Sequence, residues 1–276
     1  MQHTRPSPSR ATQSAINQDA ADGGYWHQRA LASALRHWRS DRLGARLALA
    51  LFGPDLFGAS SCGAEPMEDP AAKPDILAWM VGSDGVKRLR HISAKLARIG
   101  STDDPARPMH HAARVKFDEA GVHGLLPDDD LEVRSALLSH FIDGEPLARQ
   151  DPDLARRAMA HLRSQWDLVA RSAIEGLPHP RATHLVISLA EVQPDGSLRL
   201  AHTRSMPSSD AIAALARDAP SMSAPREGQV GTLGSRMMHI QRGQALSLGA
   251  QRDIQIKINA GALFLLAPPL SEFAPS

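Results

Sequence analysis

The sequence predicts an α+β protein, in which a helical N-terminal region is followed by a mainly antiparallel, β-rich C-terminal region with one or two helices. The helices are predicted because apolar residues recur every three or four positions between Tyr25 and Leu177. The strands are predicted because alternating, β-branched stretches follow Pro178. The predicted regions are a disordered tail at 1–24, a helical region at 25–177 and a β-rich region at 178–276.

The composition is that of an ordinary globular protein. The chain has 276 residues, 42% hydrophobic residues and a formal net charge of +1, so its overall charge drives it neither toward nucleic acid nor toward anionic lipid. A single cysteine, Cys62, excludes an internal disulfide and a zinc site built on several thiolates. Apolar stretches are shorter than the roughly 20 residues that cross a bilayer, and no signal peptide is predicted. We expect a cytoplasmic location without membrane insertion, with leaderless secretion through a specialised system as the alternative.

The first ordered elements are predicted from Tyr25 onward. The preceding 24 residues are rich in Ser, Thr, Pro and Arg, which is typical of a solvated tail or of a targeting leader. Two helices then follow, the second capped by Asp41 and ended by Gly53. The segment 58–74 combines Gly, Pro, Ser and acidic residues, so a flexible linker is predicted there.

A basic helix is predicted after this linker. The pattern predicts a short helix at 76–81 and a longer one at 84–99, which begins after Ser83-Asp84 and ends at Gly100. The outer face of the longer helix carries the residues that we predict to bind a partner: Lys87, Arg88, Lys95 and Arg98. The near-neutral charge and the scarcity of aromatic residues favour an acidic protein surface over nucleic acid as that partner.

Two more helices are predicted to begin at aspartates. Three acids end at Asp130, where they cap a helix rather than bind calcium, because the alternating acids and central glycine of a calcium loop are absent. Asp151 and Pro152 start the clearest helix, which is predicted over 151–177.

The C-terminal region is predicted to form hairpins. Strands at 183–193 and 197–204 flank a turn at 194–196, and a short capped helix follows from Ser208. Three or four further strands are predicted after residue 237, among them the alternating stretch DIQIKINAG.

A histidine-rich stretch at 109–123 resembles a metal site only superficially. It contains His110, His111, Asp118, Glu119 and His123. Adjacent histidines point about 100° apart on a helix, whereas helix-borne zinc sites place two histidines four residues apart. We therefore predict no metal here, and no cofactor elsewhere.

No catalytic motif stands out. The nucleophile elbow, the phosphate-binding loop and the dinucleotide fingerprint are all absent from the sequence. His179 and His184, at the predicted helix-to-strand junction, are the weak catalytic candidates.

Three functional hypotheses follow from these patterns. The favoured one is a non-enzymatic interaction protein, such as an adaptor, assembly component or chaperone-like factor, linked to bacterial protein secretion. The alternative is a hydrolase-type enzyme or secreted effector with its site at the helix-to-strand junction. The third is a nucleic-acid-binding regulator that uses the segment 84–99.

Overall fold

The computed structural model describes residues 10–67, 75–99, 112–117, 125–140, 145, 147–175, 181–222, 233–242 and 254–271. It confirms the α+β fold class. The helices of the described chain are α1 (Arg10–Arg36), α2 (Arg42–Phe52), α3 (Leu131–Leu138), α4 (Pro152–Ser164), α5 (Trp166–Glu175), α6 (Ser208–Arg217) and α7 (Ala260–Leu266). The strands are β1 (Ser61–Pro66), β2 (Ile76–Val81), β3 (Lys87–Ile99), β4 (Ala112–Phe117), β5 (His184–Val192), β6 (Leu198–Pro207), β7 (Ser221–Met222), β8 (Leu233–Gly234), β9 (Met238–Arg242) and β10 (Ile254–Asn259).

Two five-stranded sheets organise these elements. Sheet A has the order β1-β2-β3-β5-β6 and sheet B the order β4-β10-β9-β8-β7. In sheet A, β3 and β5 are parallel, and the other neighbouring strands are antiparallel. The register places Lys95 of β3 beside Ile187 of β5, and Ile187 beside Arg204 of β6. These three residues therefore form one row across the sheet.

Apolar side chains cover both faces of sheet A. On one face α1 and α2 bury Leu31, Leu35 and Leu47 against residues such as Ile76 and Val186. The other face packs in a second cluster, which contains Trp166 and Phe264 from the helices and Leu185, Ile187 and Leu189 from β5. None of the helices in the described ranges is both long enough and apolar enough to cross a membrane.

Several predicted elements are confirmed. The hairpin forms as β5 and β6, with Gly196 at a φ of 83° in its turn. The carboxylate of Asp130 accepts the backbone N–H of Val133, and that of Asp151 caps α4 in the same way. The helix predicted at 151–177 is present as α4 and α5, which are separated at Gln165.

The helices predicted at 76–81 and 84–99 are wrong, because both segments are strands. The residues between them form a tight hairpin connection, in which Gly85 has a φ of 74° and the carboxylate of Asp84 accepts the N–H of Val86. Ser83-Asp84 is therefore part of a turn and not the predicted helix cap. The burial pattern of β2 is also that of a strand and not of a helix, since Ile76, Ala78 and Met80 are buried and their neighbours are half-buried.

Other boundaries also differ from the sequence prediction. Helix α1 begins at Arg10, within the predicted tail, and strand β1 lies within the predicted linker. A strand, β4, occupies 112–117 within the histidine-rich stretch, and a helix, α7, lies within the C-terminal stretch for which only strands were predicted. Because β3 pairs with β5, sheet A joins the region predicted to be helical with the region predicted to be β-rich.

Candidate active site

A buried ion pair lies between β2 and β3. The Nζ of Lys95 is 3.7 Å from the Oδ2 of Asp75, and the two side chains are 5% and 12% exposed. Asp75 immediately precedes β2, and its backbone N–H donates to the carbonyl of Ile92 at 2.9 Å. Its Oδ2 also accepts the backbone N–H of Ala94 at 2.7 Å. Two hydrogen bonds to β3 thus fix the carboxylate beside the lysine.

Ser93 lies next to this pair. Side chains two positions apart on a strand share one face, so Ser93 and Lys95 project to the same side of β3. Ser93 is 1% exposed, and its Oγ has no hydrogen-bond partner within the described part of the chain. A buried hydroxyl without a partner costs free energy, which makes this oxygen a candidate ligand-binding atom.

The Asp75–Lys95 pair is costly for the fold. Removing two charges from water carries a desolvation penalty of several kcal/mol per ion, and well-packed apolar residues often stabilise a protein equally well. Buried charge pairs of this kind are concentrated at functional sites, where the chemistry needs them. The pair is therefore the strongest active-site candidate in the described structure.

A second polar group, His27 of α1, lies near this pair and bonds to β5. The Nε2 of His27 is 2.8 Å from the Oγ of Ser188, which is 3.0 Å from the Oγ1 of Thr203. Burial lowers the pKa of His27 to about 4, with Asp75 acting to raise it and Lys95 to lower it. His27 is therefore neutral at pH 7, and its hydrogen bond ties α1 to the sheet.

The predicted partner-binding residues do not form one helical face. Arg88 pairs with Asp84, Lys87 lies over the ring of Trp79, and Lys95 is buried with Asp75. Eight residues of strand separate Lys87 from Lys95 by about 26 Å, whereas the predicted helix would have placed them about 12 Å apart along its axis. Arg98 belongs to β3, and its side chain lies outside the described residues.

Of the two predicted catalytic histidines, the structure describes His184, which is not brought to the ion pair. His184 begins β5, where its Nδ1 is 3.1 Å from the Oγ1 of Thr183. Burial and then Arg90 lower the pKa of His184 to about 4. His179 lies outside the described residues, as do His110, His111, Asp118, Glu119 and His123. Within the described ranges, no three His, Cys, Asp or Glu side chains group as a metal site.

Sequence reasoning overlooked Asp75 and misplaced Lys95. The available signal was an aspartate directly before a six-residue apolar run, followed by a lysine within the next run. Once both runs are assigned as neighbouring antiparallel strands, the register extends Asp75 to a position opposite Ser93, two residues before Lys95 and on the same face of β3. The helix assignment instead put Lys95 on a solvated face.

Comparison with known proteins gives a fold relationship. No family model matches the chain, and no curated protein matches it in sequence. A solved structure that resembles it is the restriction endonuclease MspI in complex with its cognate DNA, with a TM-score of 0.50 and 13% sequence identity. The similarity covers 84% of this chain and 87% of the endonuclease chain. It therefore extends over most of both molecules.

This comparison corrects the predicted adaptor function, its predicted link to secretion and the predicted acidic protein partner. The interpretation as a non-enzymatic adaptor linked to secretion is wrong, because the structural neighbour is a restriction endonuclease and nothing in the comparison points to secretion. The choice of an acidic protein partner over nucleic acid is wrong for the same reason, since the neighbour is bound to DNA. The physical cause of the error is that overall charge and aromatic content describe the whole chain and not a local site.

Proposed function

We propose that this protein is a nuclease that hydrolyses phosphodiester bonds of DNA, with Asp75 and Lys95 as its catalytic residues. The observation that carries the proposal is the buried Asp75–Lys95 ion pair, held by β2 and β3 in a fold similar to that of a DNA-bound restriction endonuclease. This develops the enzyme hypothesis from the sequence, but moves the site from the helix-to-strand junction to the pair. A cytoplasmic location is part of the proposal.

Asp75 is the residue suited to holding a divalent cation. Magnesium binds proteins through one or two carboxylates, completing its coordination with water and substrate phosphates. The carboxylate of Asp75 and the unpartnered hydroxyl of Ser93 are oxygen donors of the right chemical kind. This revises the expectation that the protein uses no metal. When bound, magnesium would polarise the phosphoryl oxygens and increase the acidity of a bound water.

Lys95 supplies a fixed positive charge. In hydrolysis a water oxygen forms a bond to phosphorus, the bond from phosphorus to a sugar oxygen breaks, and negative charge builds up on the phosphoryl oxygens. An ammonium group held in place before the reaction stabilises that charge without having to reorganise. Burial strengthens the effect because the surroundings screen it less than water does. The carboxylate of Asp75, 3.7 Å away, orients the lysine side chain before substrate binds.

Cleavage of supercoiled plasmid DNA tests the proposal. The purified full chain is incubated with plasmid in magnesium buffer and, separately, in excess EDTA. We expect nicked or linear product only with magnesium, and a decrease of at least about 100-fold in rate for Lys95→Met, which is the scale for removing one electrostatic donor. Arg163→Met, an exposed site on α4, is the matched control and should cleave as wild type does.

Two results would contradict the proposal. One is a wild-type protein that leaves plasmid and single-stranded DNA intact across a range of divalent metals. The other is cleavage that survives in Lys95→Met, which would indicate a contaminating nuclease or a site elsewhere in the chain.

A further inference from the structure

We propose that a groove along the edge strand β6 binds the phosphate backbone of the nucleic-acid strand on which the Asp75–Lys95 pair acts. This inference rests on the proposed function. The groove has a volume of about 680 Å³ and lies between α2, β6 and the chain around α7. Its charged and titratable lining consists of Arg42, Arg46, His202 and Arg204, and no acidic side chain of the described chain lines it.

Backbone carbonyls hold two of these arginines in place. Arg204 donates through Nη1 to the carbonyls of Phe264 at 3.1 Å and Ala267 at 2.9 Å, and its guanidinium lies 4.4 Å from the centre of the Phe264 ring. Arg46 donates to the carbonyl of Leu270 at 2.5 Å and to that of Ser271 at 3.2 Å. Both side chains are therefore positioned before any ligand arrives, which lowers the entropic cost of binding.

These hydrogen bonds leave the positive charges uncompensated. A carbonyl accepts a hydrogen bond but carries no net charge, and neither Arg46 nor Arg204 forms an ion pair with a carboxylate of the described chain. Each guanidinium has five N–H donors, so donors remain for a ligand. Phosphate is the anion that matches this planar, multidentate geometry.

The walls of the groove strengthen the field of these charges. Leu43, Leu265 and Leu270 line it beside the arginines. A cleft that combines one sign of charge with low-dielectric walls focuses the potential and raises the local concentration of the opposite charge. A polyanion is therefore attracted more strongly here than at scattered surface arginines.

The sheet register places the groove at a useful distance from the catalytic pair. Lys95, Ile187 and Arg204 are consecutive in one row across sheet A. Neighbouring strands are about 4.8 Å apart, so the Cα of Arg204 lies about 10 Å from that of Lys95. Because Ile187 between them is buried under apolar side chains, a strand must go around this cover, so about three nucleotides, at about 3.4 Å of rise each, is the smallest separation between a phosphate in the groove and the one being cleaved.

The test measures binding without cleavage. A fluorescent duplex oligonucleotide, and separately a single strand, is titrated in EDTA with the full chain carrying Lys95→Met. The groove variant adds Arg42→Glu and His202→Glu, which introduce carboxylates at two exposed positions and leave Arg46 and Arg204 intact. A glutamate at the first position of α2 also suits the helix dipole, so folding should be preserved. The matched control adds Arg163→Glu and Ala213→Glu, exposed changes of equal charge on α4 and α6.

We expect the groove variant to bind about tenfold or more weakly than the control. Its slope of log affinity against log salt should also be shallower, by about one unit for each phosphate that the variant no longer neutralises. Thermal melts of both variants should agree, which separates weaker binding from unfolding.

Three outcomes of the oligonucleotide titration would overturn the inference. These are equal weakening in the groove variant and the control, no weakening in the groove variant, and no binding of either oligonucleotide by the parent protein at low salt. A groove that binds inorganic pyrophosphate, with DNA affinity unchanged in the groove variant, would also overturn it and would indicate a small-anion site instead. The nuclease proposal can fail independently of this inference. In that case the wild type would not cleave plasmid DNA, but oligonucleotide binding would still be weaker in the groove variant than in the control.

Discussion

Replacing Asp75 by asparagine is expected to destabilise the protein by about 3 kcal/mol or more, because it removes the carboxylate charge that lies 3.7 Å from the buried ammonium of Lys95. Asparagine keeps the size of the side chain and an oxygen for the N–H of Ala94, so the charge is the main thing removed. For a chain of this size, the destabilisation corresponds to a decrease in Tm of roughly 6–12 °C.

The same pair predicts that a second substitution restores stability. In Asp75→Asn/Lys95→Met both charges are gone and an apolar side chain of similar length fills the space. Such replacements are often neutral or stabilising, so the double variant should lie within about 1 kcal/mol of wild type. Lys95→Met alone should lower the free energy of unfolding by less than Asp75→Asn alone does. In Lys95→Met the Asp75 carboxylate still accepts the hydrogen bond from the N–H of Ala94 and is partly exposed to water.

Urea and thermal unfolding of wild type, the two single variants and the double variant at pH 7 give the coupling energy directly. A coupling energy near zero, with Asp75→Asn as stable as wild type, would refute the argument that these charges are buried together and depend on each other. A double variant as unstable as Asp75→Asn would show that the site cannot accommodate methionine.

Three other predictions follow from packing and ionisation. His27 has an ordinary pKa of 6.5 when unfolded and about 4 when folded, so the unfolded chain binds the proton more tightly. His27 should therefore contribute a loss of about 3 kcal/mol of stability as the pH drops from 6.5 to 4. His27→Gln should make the total fall smaller by about that amount and His37→Gln should not, while His184, whose pKa is also lowered to about 4, keeps its own share of the fall. Burial raises the pKa of the Cys62 thiol to about 11, so alkylation by iodoacetamide at pH 8 should be much slower in the native protein than in urea. A Cβ at Gly44 of α2 would lie 1.9 Å from the carbonyl oxygen of Ala34 of α1. Gly44→Ala should therefore lower the unfolding free energy by about 1–3 kcal/mol in urea titrations. An unchanged urea midpoint would contradict the close approach of α1 and α2 at this position.

Elements with local capping or turn chemistry were predictable from the sequence. The caps at Asp130 and Asp151, and the hairpin turn around Gly196, depend on residues within a few positions of one another. The α+β class followed from the helices and the hairpin that these local signals predict, but the division at Pro178 was wrong, because β1 to β4 lie before it. These features need no knowledge of distant contacts.

The strands β2 and β3 were not predictable in the same way. Apolar residues of 84–99 occur at spacings that satisfy both a helical stripe and, in part, a strand, so the pairing with β5, nearly 100 positions later, decided between them. The candidate site depends on that pairing, because Asp75 and Lys95 are 20 positions apart and meet only across the β2–β3 hairpin. An incorrect element assignment therefore hid the site.

The central claim is that the Asp75–Lys95 pair is the active site of a DNA-cleaving enzyme, and plasmid cleavage by Asp75→Asn/Lys95→Met tests it most directly. This variant is expected to match the wild type in stability, so a decrease in activity cannot be attributed to unfolding. The account predicts magnesium-dependent cleavage by wild type and none above the EDTA background by the double variant. Equal cleavage rates for the two proteins would contradict it.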